Sequence, residues 1–242
     1  MEYPYDLHVH ASGCSRCARR TPAEMVRACH AAGYAGMALT DHFLNGYTAV
    51  DISLPWERKV RRYWENYLEA WDEGQRLGLD VLFGFEYACG GGKEVLTYGV
   101  ELDFLLNNPD LCDIPLEDYA DRVHAAGGYL SQAHPFRRRP YIDSTFSIRT
   151  ELLDGLEVYN GGNEPAWDEE ALLFSAGLPL GRTAGSDAHD LDALGRAGVL
   201  CRRRLPTGAA LVDALRSGEC RPFRSDLAGR LCNHPSKTKL II

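Results

Sequence analysis

The chain has 242 residues, 45% of them hydrophobic and 25% charged, which suits one α/β barrel of roughly 200 to 250 residues and leaves no disordered bias. A formal net charge of -8 repels a phosphate backbone at long range, so non-specific nucleic-acid binding is not expected. No stretch approaches the ~18 uninterrupted apolar residues of a membrane span. The chain opens on a motif rather than a signal peptide, so a cytoplasmic protein with a single domain over 1–242 is expected.

Asp6-Leu7-His8-Val9-His10 reads as a strand. Side chains two apart on a strand point the same way, so His8 and His10 can converge on one metal ion. Taken alone, such a pair is more often two surface or packing histidines. Cys14-Ser15-Arg16-Cys17 has no second C-x-x-C to complete a zinc site and opens no thioredoxin-like unit, and Cys29, Cys89 and Cys201 lie in apolar segments. Ordinary loop cysteines and reduced core thiols are expected rather than a disulfide framework.

Thr21-Pro22-Ala23-Glu24 is a capping box that starts a helix over 22–32, with Gly33 as its stop. The run 36–40 is a strand ending in Asp41-His42. Pro55 opens a long helix whose core face is Val60, Trp64, Tyr67 and Trp71, with Arg61 and Glu65 as an i, i+4 pair. Strands follow over 79–85, delivering Glu86, and over 95–102. A helix then runs from near Pro115 to Gly127-Gly128.

The strand 129–133 delivers His134, and 156–159 ends in Asn160-Gly161-Gly162. The strand 178–183 precedes Gly185-Ser186-Asp187-Ala188-His189, and 197–201 precedes a helix over about 206–217. From about 232, with Lys237 and Lys239, a loosely held tail is expected.

Strands alternating with helices imply a mainly parallel sheet, and polar residues just past strand ends imply a barrel with its site at the C-terminal face. Those residues are His8, His10, His42, His134 and His189 with Asp41, Glu86 and Asp187. Imidazoles mixed with carboxylates suit Zn, Mn or Fe rather than Mg or Ca. The set exceeds the needs of one metal; a carboxylate such as Glu86 can bridge two, with a shared hydroxide between them. Arg137, Arg138 and Arg139 follow His134-Pro135 at the mouth of this site and are candidates for phosphate capture, while Arg202 to Arg204 read as a solvated loop.

The set Asp6-Leu7-His8-Val9-His10, Thr40-Asp41-His42, Gly84-Phe85-Glu86, Ala133-His134-Pro135 and Gly185-Ser186-Asp187-Ala188-His189, in this order over about residues 5 to 200, resembles the PHP (polymerase and histidinol phosphatase) superfamily. The resemblance implies a distorted (β/α)7 TIM-like barrel, two or three divalent metals and phosphoester hydrolysis. It implies that His8, His10, Glu86 and Asp187 hold a first metal, that Glu86 bridges to a second held also by His134, and that His42 and His189 belong to a third. Two positions depart from the family pattern. Arg16 stands where three-metal members carry another histidine, so two metals are expected, and Glu94 stands where the family commonly has a ligand histidine; its carboxylate can still bind.

The sequence thus points to a metal-dependent phosphoesterase acting on a small phosphomonoester, with no membrane partner. Arg16 and the run 137–139 would hold phosphate, His42 or His189 would act as general acid, and Asp41 would ligate a metal or orient a histidine. Alternatives are a non-catalytic metal-binding module, or hydrolysis of a phosphodiester or amide at the same metals. Oligomeric state and the substrate itself are not legible, since the segments 43–55, 103–115 and 137–148 carry no motif.

Overall fold

The structure, a computed structural model, describes residues 1–225; the expected tail from about 232 lies outside them. Nine strands share one sheet: β1 (Tyr3–Val9), β2 (Gly36–Leu39), β3 (Asp80–Gly90), β4 (Lys93–Tyr98), β5 (Tyr129–Gln132), β6 (Gly155–Asn160), β7 (Gly181–Gly185), β8 (Ala197–Cys201) and β9 (Cys220–Arg224), in the order β7-β6-β5-β4-β3-β2-β1-β8-β9. Pairs β1/β2, β2/β3, β5/β6 and β6/β7 are parallel.

β4 runs against both its neighbours, a departure from the parallel pattern with a local cause. Only Gly91-Gly92 join β3 to β4, and with Gly90 all three have positive φ. A link that short closes a hairpin, whereas a parallel crossover needs about a dozen residues or more.

The sheet closes on itself where β1 meets the segment after β7. Asp187 N donates to His8 O at 2.8 Å and His10 N to Ala188 O at 2.9 Å. The result is a nearly closed, distorted TIM-like barrel of β1 to β7. β8 pairs antiparallel with the first half of β1, at Tyr3 to Tyr5, and β9 extends it. Cys201 and Cys220 lie directly opposite in that ladder and are joined by a disulfide. This corrects the expected free thiol at Cys201: the bond depends on a strand pairing across 19 residues that no local pattern announces. Cys29 and Cys89 are free.

The helices are α1 (Pro22–Ala31), α2 (Trp56–Leu77), α3 (Leu102–Leu106), α4 (Leu116–Ala125), α5 (Pro165–Ser175) and α6 (Gly208–Arg216). α1 has the capping box at Thr21 and Glu24. α2 stops at Gly78, whose φ of 70° needs no strain in a residue without a Cβ. Its buried face runs through Val60, Tyr63, Asn66, Ala70 and Gly74, so Trp71 stands exposed. Arg61 pairs back with Glu57 at 2.8 Å rather than forward with Glu65, which Arg62 takes instead. α6 packs Leu211, Val212 and Leu215 in one cluster with Leu7, Leu96 and Tyr98 of the barrel.

α3, α5 and β9 are additional to the expected elements. α5 hides its period because its buried positions are Asp168, Ala171 and Ser175, while Leu173 and Phe174 face solvent. Small and polar residues on the inner face leave no hydrophobic stripe to read.

Candidate metal centre

His8 and His10 project from the same side of β1 and are fully buried. His8 Nδ1 donates to Glu157 Oε1 at 2.9 Å. His10 Nδ1 lies 3.1 Å from Ser15 Oγ, whose own proton goes to Asp41 Oδ1 at 2.6 Å, so Ser15 accepts from His10. Each ring is therefore oriented through Nδ1, and the two Nε2 atoms lie 3.0 Å apart.

Two lone pairs at that distance repel unless a positive charge lies between them. Burial opposes charge on His8, but the carboxylates of Asp187, Glu157 and Glu86 outweigh it and raise its pKa well above the usual imidazole range. Burial, with His189 and His42 nearby, holds His10 well below that range.

Asp187 Oδ1 is 3.5 Å from His8 Nε2 and 3.3 Å from His10 Nε2, and Glu86 Oε1 is 3.3 Å from His8 Nε2. Ligand atoms ~2.1 Å from one ion in a tetrahedral shell stand ~3.4 Å from each other. His8, His10 and Asp187 have the spacing of a shell around a single cation, with Glu86 close beside them.

Glu86 is shared with a second group. Its Oε1 is 3.0 Å from His134 Nε2 and its Oε2 is 2.8 Å from His42 Nδ1. Glu94 lies opposite on β4, 3.4 Å from His42 Nδ1 and 3.5 Å from His134 Nε2. Although close, Glu86 Oε2 and His42 Nδ1 are not aligned as a hydrogen bond, and both are buried without a partner, as is Asp6 Oδ2. Leaving a buried polar atom unsatisfied costs about 1–3 kcal/mol. A cation ligated by both removes that cost. Burial and the Glu86 charge push the Glu94 carboxyl up, whereas His8 and His42 hold Glu86 well below its usual range against the effect of burial. The donor set fits divalent transition metals.

Backbone strain sits at two of these positions. Among the described non-glycine residues only His134 (φ 32°) and Asp187 (φ 54°) have positive φ, a conformation costing roughly 1–2 kcal/mol. Hydrogen bonds hold both: His134 N donates to Glu157 Oε2 at 2.9 Å and Asp187 N to His8 O at 2.8 Å. Strain retained at such positions is typical of functional sites.

The cluster floors a cavity of about 800 Å³ that is also lined by His189, Arg137, Arg19, Cys17, Tyr47 and Tyr141. His42 and His189 stand at its rim, with ring centroids 5.8 Å apart. His10, His42 and His189 each bring a ligand atom within 4.8 Å of the others. Asp41 does not reach the cavity: its oxygens accept from Ala11 N, Ser15 Oγ and Asn66 Nδ2, which makes it an orienting group for His10 through Ser15. Burial raises its pKa to about 6 against those hydrogen bonds.

The arginines separate. Arg137 is anchored within the cavity wall, its Nη2 donating at 2.7 Å to both Asp187 Oδ2 and Asn160 Oδ1 and its Nε at 2.8 Å to Asn163 Oδ1. Arg138 turns outward to Glu170 and Arg139 stacks over the Trp167 ring, 5.1 Å from its centroid. Arg16 also points away, because its Nε donates to Thr48 O at 2.5 Å and it lines a separate surface groove. Of the arginines expected to hold phosphate, Arg137 lines the cavity, while Arg16, Arg138 and Arg139 do not.

Three residues were missed by the sequence reading. Glu157 orients His8 and pins His134, Asn160 ties Glu157 to Arg137, and Cys17 faces the cavity. A carboxylate inside the buried run of β6 was the available signal for Glu157. Burial raises a thiol, but hydrogen bonds to His189 and His42 pull Cys17 down to about 7.

Residues 165–220, from α5 to the first residue of β9, match a family model described as PHP-associated. Comparison with curated protein sequences gives no match. Among solved structures the chain is similar to a proposed metal-dependent phosphoesterase from Bifidobacterium adolescentis, with 19% identity over 93% of this chain and 98% of that one and a TM-score of 0.53. It is similar to a two-domain protein from Bacteroides vulgatus that contains a predicted PHP-like metal-dependent phosphoesterase (16% identity, 93% of this chain, 65% of that one, TM-score 0.66).

A third likeness is to a lesion-specific endonuclease from Pyrococcus furiosus (14% identity, 92% of this chain, 58% of that one, TM-score 0.64). The chain spans less than two thirds of the last two proteins, and at these identities the likeness is one of fold. The chain thus shares the fold of structures described as PHP-like metal-dependent phosphoesterases, and carries a segment similar to the PHP-associated family within it.

Proposed function

We propose that the protein is a metal-dependent phosphoesterase that hydrolyses a small phosphomonoester. The observation that carries this reading is the shared Glu86, placed between the His8, His10, Asp187 group and the His42, His134, Glu94 group at the floor of one cavity. Divalent ions held by these two groups would supply Lewis acidity toward phosphoryl oxygens and an activated water.

The chain's own residues supply the rest. Arg137, with its guanidinium already oriented by Asn160, Asn163 and Asp187, offers a fixed positive fork for a phosphate oxygen. Arg19, exposed at the cavity mouth and 3.8 Å from Asp190, adds charge that draws an anion inward. Tyr47 and Tyr141 line the same cavity and would flank the leaving group.

The test is elemental analysis of the purified protein combined with release of phosphate from an aryl phosphate and from a panel of phosphorylated metabolites. Metal with phosphomonoester turnover supports the reading. Metal without any turnover, on monoesters, diesters or amides, favours a non-catalytic metal-binding module and would overturn it.

A further inference from the structure

We propose that Asp168, braced by Arg224 of β9, is a positioning residue for Arg137, so that a strand added outside the barrel helps set how firmly a substrate phosphate is held. The inference rests on the reading of Arg137 as the fork that holds phosphate, and it goes beyond that reading by assigning a role to residues behind the cavity wall.

α5 turns a polar face inward. Asp168 is buried on it beside Ala171 and Ser175, while Leu173 and Phe174 face solvent. Burying a carboxylate is costly unless hydrogen bonds and an opposite charge compensate, and Asp168 has both. Its Oδ1 accepts from Asn163 Nδ2 at 2.9 Å and from Asn160 N at 3.4 Å, and its Oδ2 accepts from Arg224 Nη1 at 2.9 Å. Burial still pushes its carboxyl up to about 6 against these contacts. An apolar residue of similar size would fill the space without that cost, so packing alone does not account for the choice.

The contact runs onward through the turn after β6. Asn163 uses Nδ2 on Asp168, which fixes the way its amide faces and leaves Oδ1 to accept from Arg137 Nε at 2.8 Å. Were that amide to flip, it would turn donors toward a guanidinium that has no acceptor to offer. Asn160 Oδ1 accepts from Arg137 Nη2 at 2.7 Å and from Gly162 N at 2.8 Å. The turn has little room to shift, since a Cβ on Gly161 would stand 2.7 Å from Ser186 O and one on Gly162 would stand 3.3 Å from Arg137 Nη2. Arg224 closes β9, the strand that the Cys201–Cys220 disulfide fastens to β8 at its other end. Hydrogen bonds thus lead without a break from β9 through Asp168 and Asn163 to the guanidinium of Arg137.

Double-mutant cycles on the metal-loaded, full-length enzyme, with an aryl phosphate as substrate, test this directly. Asp168→Ala should raise KM about tenfold with kcat within about twofold and metal content unchanged, and should weaken inhibition by inorganic phosphate in parallel. Asp168→Asn keeps an oxygen for Asn163 and loses only the ion pair, so it should match Arg224→Ala, each raising KM about threefold. The Arg224 side chain is 31% exposed, so its removal does not open the core and the cycle stands even where Asp168→Ala fails to fold. In an Arg137→Ala background none of the three substitutions should change KM further. Equal effects in both backgrounds, a loss of kcat and metal with KM unchanged, or an Arg137→Ala variant with the wild-type KM would overturn the proposal and leave the phosphoesterase reading intact. Metal-loaded wild type that neither turns over the aryl phosphate nor binds inorganic phosphate would sink both.

Discussion

The floor and the rim of the cavity are built to different standards. On the floor, His8 and His10 are fully buried and each is oriented through Nδ1, by Glu157 in one case and by Ser15 and Asp41 in the other. Asp187 and His134 hold strained backbone in place there. At the rim, His42 and His189 retain some exposure and Cys17 sits on a loop. Preorganised ligands lower the cost of ordering on binding, so the floor should hold metal tightly and tolerate little change. Arg16 and Glu94, the two positions at which the sequence departs from the pattern it resembles, both fall outside the His8, His10, Asp187 group.

The harshest way to break this contrast is to remove a floor ligand. His10→Ala and Glu86→Ala should each lose metal and fall to background activity; metal content at the wild-type level in both variants would show that the cluster is wrongly assigned. Next in size is Glu157→Gln, which leaves all ligands in place but weakens the orientation of His8 and the support of His134. Metal affinity should drop about 10- to 100-fold in a competitive chelator titration, and an unchanged affinity would mean that the floor is not preorganised through Glu157.

Substrate anchoring gives a comparison among neighbours in sequence. Arg137→Ala removes a charge-assisted contact of about 1.5–3 kcal/mol and should raise KM roughly 10- to 100-fold with metal retained. Arg138→Ala, Arg139→Ala and Arg16→Ala should each change KM by less than about twofold, within the ±0.5 kcal/mol usual for surface positions. Equal effects across the run would return phosphate capture to the whole loop.

The smallest effect is a slope with pH. In the metal-free protein His8 keeps its proton through neutral pH, because burial, which opposes the charge, is outweighed by Asp187, Glu157 and Glu86. That proton must leave when metal binds, so affinity should rise by up to about tenfold per pH unit for each proton displaced, until the pH passes the pKa of the folded protein. The sign for stability is opposite without metal. A raised histidine contributes fully below its unfolded value near ~6.5 and loses that contribution as pH rises through its folded value. Melting temperatures of the two forms should therefore diverge as pH increases; parallel curves would remove His8 from the ligand set.

Much of the site was legible because its residues follow the ends of apolar runs, where a barrel gathers its chemistry. His42, Glu86, His134, Asp187 and His189 line one cavity, with His8 and His10 buried against Glu86 and Asp187. Glu157 was passed over because it lies within a strand, and only the closed barrel brings it 2.9 Å from His8, 149 residues away. Arg16 turns to Thr48 and away from the cavity, because side-chain direction in a loop follows from hydrogen bonds to a distant segment and not from spacing.

By itself, the sequence determined the order of strands and most helices, the capping of α1, the family resemblance and most of the candidate ligand residues, since periodicity, capping and short motifs are local properties. Tertiary structure alone decided the closure of β1 onto the segment after β7, the Cys201–Cys220 bond, the separation of Arg137 from Arg138 and Arg139, and the turn of Cys17 into the cavity. Each of these depends on partners distant in the chain, brought together only when the sheet closes. Local pattern can name a side chain that is able to do chemistry, but which way it faces is set by the long-range hydrogen bonds and packing that surround it.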